Sequence, residues 1–400
     1  MTRADATGLP ASAPSTRTGA EADARPGAEP GTVLATRTVD HAAIARNLRR
    51  ILDISDTPVM AVVKADGFGH GGLEVARTLL DAGATWLGVA TVDEAIALRS
   101  AGINAPILCW LADPWSDLPA AVRAGVTVSC ANRETLDAVI VASRAVGARA
   151  LVQLELDTGM SRGGATAELW DELCTAALVE ELEVTGIWSH LALAADPAPS
   201  STLWQRDAFD AGVERARALG LRPELLHLAN SAGALDHPDT WFDLVRCGAS
   251  LYGIETVTGR LHGLEPAMRL VSRVSQLRRV PAGTGVSYGH AFVSDRETTL
   301  VLVPVGYGDG IPRELSKGGE VVIGGVRHPV VGAISMDQLI VDVGDHPVTL
   351  GQEVVLLGSP QRGEPDAQEW AVLTGTIAHE ILTGLGGRIA RRHINQTSRG

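Results

Sequence analysis

An apolar run, Ala61-Val62-Val63, ends on Lys64 and then gives way to the glycine-rich Ala65-Asp66-Gly67-Phe68-Gly69-His70-Gly71-Gly72. Of the 34 Lys and Arg side chains in the protein, all but Lys64 and Lys317 are arginine. A guanidinium stays protonated near neutral pH, whereas an amine partly buried at a strand end can lose its proton and act as nucleophile or base. A lysine kept at such a place, in a chain that otherwise uses arginine, points to amine chemistry. Taken alone, the stretch fits that reading and a snorkelling strand-end lysine equally well.

The other polar residues able to do chemistry recur where β-branched runs stop: Asp157 and Arg162, His190, Asn230 and Ser231, then Arg246 with Gly248. Singly each also fits an ordinary capping or hydrogen-bonding role. The elements that would position them form a rhythm. Strands are predicted over 59–64, 86–91, 106–111, 126–130, 150–157, 184–192, 225–230 and 244–248, and Ala- and Leu-rich helices over 72–82, 92–101, 133–144, 167–180 and 201–219. Such units imply parallel strands joined by right-handed crossovers, and their number favours a closed (β/α)8 TIM-like barrel over an open doubly wound sheet. In that barrel the strand ends converge on one mouth, which is where Lys64 and the residues just named would lie.

Past residue 256 the rhythm changes to short strands at 271–280, 298–305, 320–323, 328–331, 338–343 and 353–357, broken by Gly, Pro and Asp turns, with helices near 367–373 and 376–383. This reads as a mostly β C-terminal domain. The resulting division is a disordered tail over 1–31, a strand over 32–39 joining the C-terminal domain, the barrel over 40–256 and the β domain over 257–397. The tail has no continuous apolar run of the kind a signal or anchor requires, so a cytoplasmic protein is expected. A net charge of −13 disfavours nucleic acid and anionic membranes as partners and leaves a small molecule. Cys109, Cys130, Cys174 and Cys247 lack metal-ligand spacing and read as core residues of a reducing compartment, so no metal is expected.

The segment from Ala61 to Gly71 resembles the pyridoxal-phosphate signature of the alanine racemases. The same order of segments continues through Gly88-Val89-Ala90-Thr91, Glu94-Ala95, Asp157-Thr158-Gly159-Met160-Ser161-Arg162, Ser189-His190 and His227-Leu228-Ala229-Asn230-Ser231. It runs on through Val245-Arg246-Cys247-Gly248, Tyr252-Gly253, Gly285-Val286-Ser287-Tyr288-Gly289, Gly306-Tyr307-Gly308-Asp309-Gly310 and Met336-Asp337-Gln338. The resemblance implies a fold-type III racemase that interconverts L- and D-alanine and supplies D-alanine for peptidoglycan, with pyridoxal 5'-phosphate held as a Schiff base on Lys64. Racemisation needs proton carriers on both faces of the α-carbon. By resemblance the second is Tyr288, reaching in from the other subunit of a homodimer. His190 and Arg246 resemble the residues that tune that phenol, and Arg246 the one against the cofactor's ring nitrogen. Ser231, Gly248 and Ala249 resemble the phosphate site and Asn230 a further residue of the cofactor site, Arg162 and the Met336 backbone the substrate-carboxylate site, and Asp337 a supporting residue.

Three positions depart from the family pattern. Glu155 stands where many members carry a carbamylated lysine that orients the arginine matched by Arg162. A fixed carboxylate there predicts activity insensitive to bicarbonate removal. Phe68 and, by the same alignment, Gly387 replace tyrosines, the first a phosphate ligand, which predicts weaker cofactor retention. Racemases of serine or lysine, or of broad specificity, share this machinery. A pyridoxal-dependent decarboxylase is disfavoured because Cys247 is the last cysteine, and a single-barrel cofactor carrier because the β domain is present.

Overall fold

The computed structural model describes residues 33–198, 200–257 and 259–395. The tail expected over 1–31 lies outside these residues. Nine strands take the chain through the first part of the fold: β1 (Thr36–Asp40), β2 (Val59–Val62), β3 (Trp86–Val89), β4 (Ile107–Cys109), β5 (Thr127–Cys130), β6 (Ala150–Glu155), β7 (Leu182–Trp188), β8 (Leu225–His227) and β9 (Val245–Cys247). Strands β2 to β9 are all parallel, in the order β8-β7-β6-β5-β4-β3-β2-β9. The remaining edge is bridged by Asp243 N–H to Leu226 O and Arg246 N–H to Ala229 O, each 3.0 Å, which brings the ring round into a barrel.

Local sequence explains these elements. Strand β2 reads Val-Met-Ala-Val with every residue buried, the uniform apolar run of a strand covered on both faces. The helix His41–Ser55 begins where Asp40 accepts from the Ala42 and Ala43 amides, and it buries Ile44, Leu48 and Ile51 completely. Each such side chain contributes about 1.5–3 kcal/mol by leaving water. The helix Val92–Ser100 opens on a capping box between Thr91 and Glu94. Except for β5, which ends at Cys130 as expected, the barrel strands stop one to four residues before the predicted ends, because the apolar runs continue past the ladder into the mouth loops. The helices Leu118–Arg123 and Ser231–Asp236 were not anticipated; six residues do not display a helical period.

The second part contains β10 (Met268–Arg273), β11 (Gln276–Val280), a hairpin of β12 (Gly285–Val286) and β13 (Phe292–Val293), β14 (Thr298–Val303), β15 (Glu320–Ile323), β16 (Val326–Val331), β17 (Leu339–Gly344), β18 (Glu353–Leu357) and β19 (Ala390–Ile394). Apart from the β12–β13 hairpin, which is a two-stranded sheet of its own, they form with β1 a nine-stranded sheet ordered β11-β14-β17-β16-β15-β18-β10-β1-β19. The single strand predicted over 271–280 is two strands. Val274 N–H bonds Gln352 O while Ser275 N–H bonds Leu302 O, so the chain changes partners between them and β11 goes to the far edge. Strand β1 pairs antiparallel with β10 and parallel with β19. Strand β19, Ala-Arg-Arg-His-Ile, has no alternating pattern and was not foreseen. A second core around Val341, Leu356 and Trp370 sits under the helices Ala367–Thr374 and Ala378–Gly384.

Candidate active site

A cavity of about 560 Å³ opens at the barrel mouth. Strand β2 delivers Lys64 to it, and the helix Ala378–Gly384 of the β domain closes one side with His379 and Thr383. After Lys64 the backbone makes a left-handed turn, with Ala65 at φ 52°, Asp66 at 53°, Gly67 at 61° and Phe68 at 53°. Gly69 follows at φ 78°, and a Cβ there would stand 2.7 Å from Leu382 O, so the turn seats directly on the closing helix. The Lys64 amine lies 5.6 Å from the centre of the Trp110 ring. Burial, and next the charge of Arg162, lower its pKa against an opposing pull from Glu94.

Arg246, carried by β9, is buried in the barrel. Its Nη2 donates to Ser189 O at 2.7 Å, Leu228 O at 3.2 Å and His190 Nδ1 at 3.2 Å, and its Nη1 to His227 O at 3.1 Å and His227 Nδ1 at 3.0 Å. A guanidinium only donates, so both histidines must accept at Nδ1 and carry their proton at Nε2. His227 passes that donor on to Gln153 Oε1 at 2.8 Å. His190 keeps its Nε2–H for the cavity it lines. Burial first, then Arg246, hold both imidazoles well below their ordinary pKa, hence neutral. Gln153 and His227 were not singled out as site residues in the sequence, since a glutamine within a strand carries no motif. Stacking of the guanidinium on Trp188, 4.8 Å away, completes its seat.

Ser231, Gly248 and Ala249 come together at another wall of the cavity, where Ser231 Oγ accepts from Gly248 N–H at 3.0 Å. A Cβ at Gly248 would meet the Phe68 ring at 3.0 Å, so the glycine lets the ring close over this corner. Phe68 also packs 4.8 Å from the Tyr252 ring and 5.7 Å from His379. His379 Nδ1 is buried and has no hydrogen-bond partner among the described residues. Gly387, aligned in sequence with a lost tyrosine, does not line this cavity; the β-domain residues that do are Ile377, His379 and Thr383. Asn230 lines the cavity but spends its oxygen capping Gly233 N–H at 3.1 Å and its amide on Leu191 O at 3.2 Å, a bracing role.

Arg162 reaches the cavity from a loop in which Asp157 Oδ1 accepts the amides of Gly159, Met160 and Ser161 at 2.9–3.1 Å. Behind it Glu155 and Arg162 line a separate enclosed space of about 10 Å³, room for about one water. Burial lifts the Glu155 carboxyl to about 7, against the charges of Arg246 and Arg162. The carboxylate is therefore not the permanent charge that the sequence alone suggests. A carboxyl raised in this way binds more protons in the folded state, so stability declines as pH rises from 4.5 to about 7 and is level above that. The decline amounts to about 3 kcal/mol. Glu155→Gln, which does not ionise, is expected to remove it. A melting-temperature difference between the two proteins that stays constant from about pH 4 to about pH 8 would overturn this assignment.

Tyr288, Met336 and Asp337 do not line the cavity that holds Lys64. Tyr288 is 73% exposed and Met336 54% exposed on the β domain. Ser287, at φ 61°, is tied to Ala333 O at 2.5 Å, which fixes the turn presenting the phenol. Met336 O accepts from Gly308 N–H at 2.8 Å, and Asp337 pairs at 2.5 Å with Arg388, which also clasps Asp309 at 2.7 Å. Among the described residues there is no group of three or more His, Cys, Asp or Glu able to hold a metal, and no helix long and apolar enough to cross a membrane. Burial pushes all four thiols up to about 12.

Comparison with known proteins matches nearly the whole described chain. Residues 39–256 match the family model for the alanine racemase N-terminal domain and residues 267–393 that for the alanine racemase C-terminal domain. The alanine racemase of Salinispora arenicola is 46% identical over 360 residues, 89% of this chain and 97% of its own. The crystal structure of alanine racemase from D-cycloserine-producing Streptomyces lavendulae superposes with a TM-score of 0.88 at 41% identity, covering 91% of this chain and 97% of that one. That of the Bartonella henselae alanine racemase with covalently bound pyridoxal phosphate gives 0.82 at 32% identity, covering 90% of this chain and 100% of that one.

Proposed function

Because this chain belongs to the alanine racemase family, we propose that it interconverts L- and D-alanine with pyridoxal 5'-phosphate by a two-base route using Lys64 and Tyr288. The product would serve peptidoglycan assembly from the cytoplasm. The observation that carries the reading is Lys64: an amine of lowered pKa at a barrel-strand end, in one cavity with Arg162, His190, Ser231 and Arg246.

The donor set fits the cofactor. Ser231 Oγ, the Gly248 and Ala249 backbone and the unpartnered His379 Nδ1 gather on the Phe68 side, where a phosphate would find donors. Arg246 stands where it would face the ring nitrogen; having only N–H groups to offer, it would leave that nitrogen unprotonated and disfavour side reactions such as transamination. Arg162 would hold the substrate carboxylate, with help from the backbone near Met336. When bound, the cofactor supplies a sink for the electron pair left on the α-carbon.

Lys64 Nζ would take or return the α-proton on one face, and a neutral amine is accessible because burial disfavours its charge. Tyr288 Oη would hold the proton on the other. Tyr288 is exposed and outside its own chain's cavity, which supports the reading that the phenol meeting Lys64 would be that of a second copy and the working unit a homodimer with shared sites. Racemisation of serine, lysine or a broader set would use the same groups, and product analysis over a panel of L-amino acids separates these readings from alanine. The purified protein is expected to bind pyridoxal phosphate with a visible absorbance lost in Lys64→Ala and to form D-alanine from L-alanine. Absence of both rules out the proposal.

Phe68 offers no hydrogen bond to a phosphate. A bond to a charged group contributes about 1.5–3 kcal/mol, so Phe68→Tyr is expected to tighten cofactor binding by about 10- to 100-fold. Titration of the stripped protein with pyridoxal phosphate measures it. Unchanged affinity would overturn the expectation of weaker retention. Bicarbonate depletion is expected to leave the rate unchanged, because Glu155 needs no carbon dioxide to carry a carboxyl; a marked loss on depletion counts against that role.

A further inference from the structure

The glutamate that caps the neighbouring barrel helix has a second attachment unrelated to capping. Glu94 Oε2 closes the capping box, accepting from Thr91 N–H at 3.3 Å and from Ala90 N–H at 2.8 Å. Its other oxygen, Oε1, reaches across to the preceding strand's loop and accepts the Ala65 N–H at 2.7 Å. Ala65 is the residue after Lys64, and it sits at φ 52°, ψ 51°, a left-handed conformation that side chains other than glycine rarely adopt. A left-handed run of this kind, with three residues other than glycine, persists only where its surroundings over-determine it.

The surroundings do so from two sides. Asp66, also left-handed, accepts Gly72 N–H at 2.7 Å on one oxygen and binds Arg391 of β19 through the other. Tyr252 donates to Val62 O at 3.1 Å just before the turn. Of these anchors only Glu94 bonds an atom adjacent to Lys64, and only Glu94 brings a negative charge to the amine.

Resting on the reading that Lys64 is the working amine, we infer that Glu94 is a positioning residue for it. One carboxylate oxygen fixes the direction in which the lysine leaves the backbone, and the carboxylate's charge acts on the amine. The ionisable groups acting on that amine are Arg162, His190 and His379 in the same cavity, and Glu94. With both imidazoles neutral through burial, Arg162 and Glu94 are the opposing charges: the first drives the proton off, the second retains it. A capping box needs one acceptor oxygen, which glutamine also has. Glutamine cannot serve both attachments, since its second group is a donor facing another N–H.

The decisive variant is therefore Glu94→Gln in the full-length protein. Its holoenzyme is expected to lose about 10-fold or more in kcat with KM within about 3-fold, because misplacing a reacting group penalises the transition state more than binding. The independent readout needs no cofactor. With only two lysines in the chain, reductive methylation of the stripped protein reports Lys64 against exposed Lys317 as internal reference. The pH of half-reaction at Lys64 is expected to fall in the variant, measured relative to Lys317. If Glu94→Gln leaves the Lys64 titration where it was, or loses activity only in step with a lowered melting temperature, the inference is wrong and Glu94 is a helix cap alone. Failure of the unmodified protein to bind pyridoxal phosphate would overturn the functional reading instead, and the methylation result would still decide whether Glu94 governs the Lys64 amine.

Discussion

Lys64→Ala is expected to lower kcat/KM for alanine by about four orders of magnitude or more and to leave the chain folded. On the proposed reading two functions would vanish together, the anchoring of the cofactor and the proton carrier on one face. The fold survives because the amine is a poor contributor to stability: its charge is partly desolvated, its carbon stem lies at the edge of the cavity, and its electrostatic neighbour Arg162 repels it. Chiral product analysis gives the rate, and thermal unfolding by circular dichroism gives the stability. Activity within about tenfold of the unmodified protein would remove Lys64 from the mechanism, since no other amine lies in the cavity.

Tyr288→Phe is expected to cost about 100- to 10,000-fold in kcat, the range for losing one general acid or base, again without unfolding, because the side chain is 73% exposed. The more informative experiment mixes this inactive chain with the inactive Lys64→Ala chain. If each site takes its lysine from one copy and its tyrosine from the other, a mixed dimer holds one site with both groups intact and one with neither. Random exchange makes half of the dimers mixed, so about a quarter of full activity returns. If both groups acted within one chain, mixing would restore nothing. That result, together with a crystal structure placing the phenol far from every Lys64 amine in the assembly, would end the two-base reading.

Much of this is legible in the sequence. The eight β-branched runs and their intervening helices specify a barrel because burial on both strand faces and one helix face writes itself into short-range periodicity. The polar residues that end those runs are legible for the same reason, since a parallel barrel sends every strand end to one mouth. Glu155 was legible as a residue but not as a state. Its carboxyl is lifted to about 7 by enclosure, which depends on what the fold stacks over it.

The sequence by itself determined the chain's family resemblance, its barrel and β domain, and the lysine at the centre of the site. Tertiary structure alone decided which distant groups meet. Only the docking of the β domain puts His379 beside Phe68, with a buried nitrogen that has no hydrogen-bond partner among the described residues, and shows that Gly387 is elsewhere. The Arg246–His227–Gln153 chain crosses from β9 through β8 to β6, and Glu94 reaches the amide after Lys64 from the next barrel unit. The physical reason is common to these cases. Periodicity records which face of an element is buried, whereas a hydrogen bond between residues far apart in the chain depends on the angle and depth at which two buried faces pack, and no local pattern encodes that.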